Sequence, residues 1–96
     1  MMVGVERAEY VEGFTIRVVF QDGRTGDIDL REIVQKDPRP IFAELSNWDR
    51  FKDFKVDYDT ICWANGLDLA PEYLYFLAFR DDPALKRQFQ EWGYLS

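Results

Sequence analysis

The chain has 96 residues, of which 47% are hydrophobic and 17% aromatic, and it carries a formal net charge of −6. Such a length suits one domain, since ordinary domains run about 100–150 residues, and so many aromatics exclude a disordered chain. Residues 1–48 and 49–96 each hold six basic and nine acidic side chains, so no Lys/Arg-rich stripe exists to displace phosphate counterions, and direct nucleic-acid binding is not expected.

Other totals narrow the chemistry. Histidine is absent and Cys62 is the single cysteine, which removes the commonest general base and any internal disulfide. No apolar run approaches the about 18–20 residues of a membrane span. With no signal-like N-terminal segment, a cytoplasmic location is the expectation.

In chain order, scattered apolar positions from Val3 to Val11 reach Glu12-Gly13. Phe14, Ile16, Val18 and Phe20 then alternate with Thr15, Arg17, Val19 and Gln21, the period of a strand with one wet face. Asp22-Gly23 predicts a type I′ hairpin turn, and Gly26, Ile28 and Leu30 continue an antiparallel meander. Arg31 to Val34 reads as a short helical segment, interrupted by Asp37-Pro38 and Pro40. Two short helical pieces follow, at 40–45 and 47–52, the second preceded by the capping pattern Ser46-Asn47-Trp48-Asp49.

Strand patterning returns with Phe54, Val56 and Tyr58. A tight turn around Asp59 leads to Ile61-Cys62-Trp63, and Asn65-Gly66 is the strongest short hairpin signal in the chain. Leu67 and Leu69 continue beyond it. Pro71 opens a helix where its missing amide hydrogen does no harm, with Leu74, Leu77 and Ala78 expected as its buried stripe. Asp82-Pro83 repeats the cap-then-proline logic. Leu85, Phe89 and Trp92 fall on one helix face, and Gly93 suits a C-terminal stop. These elements define a single α+β domain over 1–96: an antiparallel β-meander sheet, short helices on one face and a helical C-terminal end.

The stretches Phe20-Gln21-Asp22-Gly23, Gly26-Asp27-Ile28-Asp29-Leu30, Trp48 to Phe54 and Thr60-Ile61-Cys62-Trp63-Ala64-Asn65-Gly66-Leu67-Asp68-Leu69-Ala70-Pro71-Glu72-Tyr73-Leu74-Tyr75 resemble the "domain of unknown function 2442" family. The likeness covers about residues 14–75 and leaves 76–96 as a C-terminal extension. It implies membership of a small bacterial family whose genes often neighbour that of another small protein in toxin–antitoxin-like pairs. Some members carry a helix-turn-helix domain, for which the short helix expected at this chain's end is too small.

Trp63, Asp68 and Glu72 are candidate partner-binding residues, Trp63 as the kind of aromatic anchor that dominates interfaces. Fold maintenance competes with that reading: a core position for Trp63, bonding to nearby backbone for Asp68, and helix initiation by Pro71 just before Glu72. Phe89 and Trp92 either close the domain's own core or dock on a second copy or a partner. Asp22, Asp27, Asp29, Asp57, Asp59 and Asp68 offer hard oxygens for a cation, but Asp57-x-Asp59 lacks the glycine and distal glutamate of a calcium loop. A solvated acidic face is the better account. Cys62 has no base to activate it. No catalytic residue, cofactor, metal or small-molecule ligand is indicated. The expectation is a non-enzymatic protein–protein interaction module, binding a protein partner or itself, antitoxin-like or regulatory. The alternatives are a small metal-assisted enzyme using its aspartates, and an accessory to a DNA-binding transcriptional regulator.

Overall fold

A computed structural model describes residues 3–96. The strands are β1 (Val5–Glu12), β2 (Thr15–Phe20), β3 (Thr25–Asp29), β4 (Phe54–Asp57), β5 (Thr60–Trp63) and β6 (Asp68–Leu69). The helices are α1 (Arg31–Lys36), α2 (Pro40–Ala43), α3 (Trp48–Lys52), α4 (Pro71–Phe79) and α5 (Lys86–Glu91), with 3₁₀ turns at Glu44–Ser46 and Pro83–Leu85. The chain is a single α+β domain, and its radius of gyration of 13.1 Å fits the about 12–13 Å of one compact unit of this length.

The strands divide into two antiparallel meanders, β1-β2-β3 and β4-β5-β6, rather than the single sheet expected, because the helices α1 to α3 intervene between β3 and β4. The alternation along β2 does what it forecasts: Ile16, Val18 and Phe20 are buried while Arg17 is exposed. Two bonds join the sheets at the start of β1: Val5 N donates to Asp59 O at 2.7 Å and the Gln21 side-chain amide to Asp59 Oδ1 at 2.9 Å, while Gln21 N donates to Gly4 O at 2.7 Å within the first sheet.

The turn at Asp22-Gly23 is not type I′, which needs two residues at positive φ. Only Gly23 has one, at 90°. Phe20 N donates to Arg24 O at 2.8 Å and Gly23 N to Phe20 O at 2.9 Å, so the loop is the three residues Gln21–Gly23. Asn65-Gly66 follows the same plan: Trp63 N donates to Leu67 O at 2.8 Å, Gly66 N to Trp63 O at 3.0 Å, and Gly66 alone has positive φ, at 92°. The two-residue turn lies between β4 and β5, where Tyr58 and Asp59 hold φ of 52° and 62° with no glycine.

Helix ends follow local chemistry. Asn47, rather than Ser46, caps α3, its side chain accepting from Asp49 N at 3.0 Å. Asp82 caps the turn at Pro83 by accepting from Ala84 N at 2.9 Å. After α5, Gly93 at φ 87° lets Tyr94 N reach Phe89 O at 3.0 Å and Gly93 N reach Gln90 O at 3.1 Å, the paired bonds of a Schellman stop.

The core centres on aromatics from both halves. Phe20, Phe51, Tyr75 and Phe89 are fully buried. On α4 the buried face is Leu74 and Tyr75, whereas Leu77 and Ala78 are only half-buried. The expected stripe is thus rotated, because Tyr75 is enclosed by Phe20 on the sheet and by Phe79, Phe89 and Trp92 at ring distances of 4.8–6.4 Å. Close seating of α4 on β3 depends on Gly26: a Cβ there would come within 2.8 Å of the Ala78 Cβ. No helix of the described residues is long and apolar enough to cross a membrane.

Candidate functional site

The five candidate residues part company. Trp63 is 4% exposed, and its indole N–H donates to Phe51 O at 2.9 Å between the rings of Phe51 and Phe54. Phe89 is fully buried against Tyr75 and Phe76. Both are core residues whose rings pack inside the chain. Asp68 is exposed on β6 opposite Cys62. Glu72 is half-exposed in the first turn of α4, and Trp92 is half-buried at the end of α5. Glu72 and Trp92 meet the same neighbour, Tyr94, whose ring lies 6.4 Å from that of Trp92 and whose hydroxyl is pushed up in pKa by burial and then by the Glu72 charge. Asp68 stands apart from them.

The aspartates do not converge. Asp22 accepts from the Tyr75 hydroxyl at 2.7 Å, Asp27 from Arg17 at 2.8 Å and Asp29 from Arg31 N at 2.9 Å. Asp57 accepts from Tyr58 N at 3.0 Å, and Asp59 holds Gln21. Among the described residues no three His, Cys, Asp or Glu side chains are grouped so as to hold a metal ion. The Cys62 thiol is pushed up in pKa by burial, then by Asp68 and Asp57. That disfavours the thiolate a nucleophile needs.

What the helices and loops do build is a groove. α1 and the start of α2 form one wall and α4 the other, enclosing about 630 Å³ over an apolar floor that includes Phe42, Leu69, Tyr73 and Phe76. Two guanidiniums lie on that floor, Arg39 at 4.7 Å from the Phe42 ring centre and Arg80 at 5.2 Å from that of Phe76. Arg39 is also clamped by Asp37, at 2.8 Å from Oδ2, which holds the Asp37 carboxyl below its ordinary pKa and raises that of Arg39. Lys36 pairs with Glu32 at 3.1 Å. Arg80 is in no ion pair among the described residues. A second groove of about 500 Å³ shares Asp29, Leu77 and Arg80 with the first and runs on between β3 and the end of α4.

Sequence reasoning did not single out Phe42, Tyr73, Phe76 or Arg80. The available signal was the near-unbroken apolar run of α4, Tyr73 to Phe79. A nine-residue helix whose one charge is Glu72 in its first turn must be covered on nearly every side or leave a face for something else.

The model of the protein family described as "Protein of unknown function (DUF2442)" matches residues 5–80, which takes in β1 and all of α4 and leaves α5 outside. No curated protein matches. One solved structure, described as the putative DNA-binding protein NE0471 from Nitrosomonas europaea, shares the fold with a TM-score of 0.75 at 14% identity. The alignment covers 100% of this chain and 64% of that one.

Proposed function

From the premise that the chain belongs to the DUF2442 family, whose description assigns no activity, we propose that it is a non-enzymatic protein–protein interaction module, the antitoxin-like or regulatory member of a two-protein pair. The observation that carries this reading is the groove above α4, where half-buried Tyr73, Phe76 and Leu77 lie beside the stacked Arg39 and Arg80. Aromatic and arginine side chains are the residues that interface hot spots favour, and here they surround no activated nucleophile or paired acid and base. The antitoxin-like element rests on the family resemblance. A tagged chain recovered from its native cell at low salt is expected to bring one partner with it, and Leu77→Glu or Tyr73→Ala to lose that partner about tenfold or more. Equal retention by both variants overturns the groove as the docking surface.

A second reading, an accessory to a DNA-binding regulator, draws on the solved structure described as DNA-binding and longer than this chain. With a net charge of −6, contact with DNA falls to a separate partner. A gel shift that appears only with both proteins supports it.

A further inference from the structure

The outer edge of β3 is open. Hydrogen-bonded pairs alternate along an antiparallel ladder, and Phe20 with Arg24 and Phe14 with Leu30 both fall in the bonded class, through Phe20 N to Arg24 O at 2.8 Å and Leu30 N to Phe14 O at 2.9 Å. In the register between them, Ile16 with Ile28 and Val18 with Gly26 are therefore bonded as well. Thr25, Asp27 and Asp29 consequently turn their backbone N–H and C=O groups away from β2, with no main-chain partner on that side among the described residues. The other long edge, β1, already meets the second sheet through Val5 and Asp59.

This edge forms one wall of the groove of about 500 Å³ whose other wall is the end of α4. An edge strand facing a helix across a groove is the arrangement that accepts an added strand. The pleat fixes what such a strand must carry. Side chains opposite Asp27 and Asp29 would share their outer face, and those between would turn inward to Leu77 and Ala78. Four carboxylates line the groove against one guanidinium, Arg80. Asp27 is shared with Arg17 and Asp82 with Arg24, leaving Asp29 and Asp81 outside any ion pair among the described residues. Acids on an edge also deter self-pairing, so the occupant they favour is a strand of opposite charge.

We infer that β3 accepts an extended segment of a partner protein, its side chains alternating between basic and apolar, as a fourth strand of the first sheet. The inference rests on the interaction-module reading and gives the partner its chemistry.

The test uses the full chain and a labelled, end-capped peptide of alternating Lys and Val, followed by fluorescence anisotropy and amide hydrogen exchange. Binding should slow exchange at Thr25, Asp27 and Asp29, while a Glu-Val peptide of equal length binds at least about tenfold more weakly. Asp27→Pro removes an outward N–H without touching the ladder to β2 and should cut binding about tenfold or more, while Asp27→Ala, which keeps that N–H, stays within about threefold. Equal binding by the Glu-Val peptide, no binding by the Lys-Val peptide, or a folded Asp27→Pro that binds as well as Asp27→Ala would each overturn the proposal. A dimer of the chain that Asp27→Pro abolishes would make a second copy the occupant and refute the basic segment. A cellular partner lost by Leu77→Glu but kept by Asp27→Pro leaves the interaction reading standing and removes strand addition.

Discussion

The loops Gln21–Gly23 and Ala64–Gly66 close their hairpins with the same bonds, and in each the middle residue's side-chain oxygen accepts the N–H two positions on: Asp22 from Arg24 at 2.9 Å, Asn65 from Leu67 at 3.0 Å. They differ in what the rest of that side chain does. Asp22 spends its second oxygen accepting the Tyr75 hydroxyl at 2.7 Å, tying the first sheet to α4. Asn65 uses its amide to donate to Ile41 O at 3.0 Å and to Glu44 Oε2 at 3.1 Å, tying the second sheet to α2. One loop geometry therefore serves two anchoring chemistries, and the choice between carboxylate and amide is made by whether the distant partner donates or accepts.

The largest break in this pairing should come from Asn65→Asp, which removes two donated bonds and brings a carboxylate up to Glu44. We expect a loss of about 3 kcal/mol in urea unfolding at neutral pH, recovering as acid neutralises the pair. Next comes the phenol held by Asp22. Burial and that bond push Tyr75 up to about 12 from its ordinary 10. A folded pKa above the unfolded one gives stability that is fully present below about pH 10 and lost as the pH climbs through about 12. Wild type should thus lose on the order of 2 kcal/mol across that window relative to Tyr75→Phe, read as the difference between their urea midpoints.

Gly23→Ala and Gly66→Ala sharpen the likeness. A Cβ at either meets nothing within 4 Å, so the cost is the backbone's alone, roughly 1–2 kcal/mol at each. Thermal unfolding should find the two costs equal to within about half a kcal/mol, and a clear inequality would show that the loops are not equivalent. Smallest is Asp22→Asn, about 1 kcal/mol, since the turn-capping oxygen survives and only the acceptor of the Tyr75 proton is lost.

Both loops were legible as turns because Asx-Gly is a strong local signal. Their length was not, because the same dipeptide fits a two-residue turn or a three-residue one, and the cross-strand pairs Phe20 with Arg24 and Trp63 with Leu67 decide between them. Tyr58-Asp59 shows the reverse: positive φ at both positions with no glycine to announce it. The α+β class, the strand order within each meander and the helix starts at Pro71 and Pro83 follow from patterns of a few residues. The phase of α4 does not, since a helix whose one charge is Glu72 in its first turn has no polar face to orient it, and its seating depends on Gly26 and on rings from α5. The groove was invisible for a related reason. Its walls come from residues 29–42 and 69–80, and nothing local marks Phe42 and Phe76 as facing one space. Of the five candidate residues, Trp63 and Phe89 proved to be buried because aromatic size alone does not distinguish an anchor for a partner from an anchor for the core.

The Asn65-Gly66 peptide also sets a chemical clock. Asparagine before glycine ages when the glycine amide nitrogen attacks the side-chain carbonyl, closes a succinimide with loss of ammonia, and opens to aspartate or isoaspartate. Here that nitrogen is engaged with Trp63 O and the side chain is held by Leu67, Ile41 and Glu44, so ring closure waits on local opening of the loop. The aspartate product is the same species as Asn65→Asp, so each damaged molecule loosens the anchor that protected it. Peptide mapping after prolonged incubation should find deamidation at this position slow in the folded chain and fast once urea releases the loop.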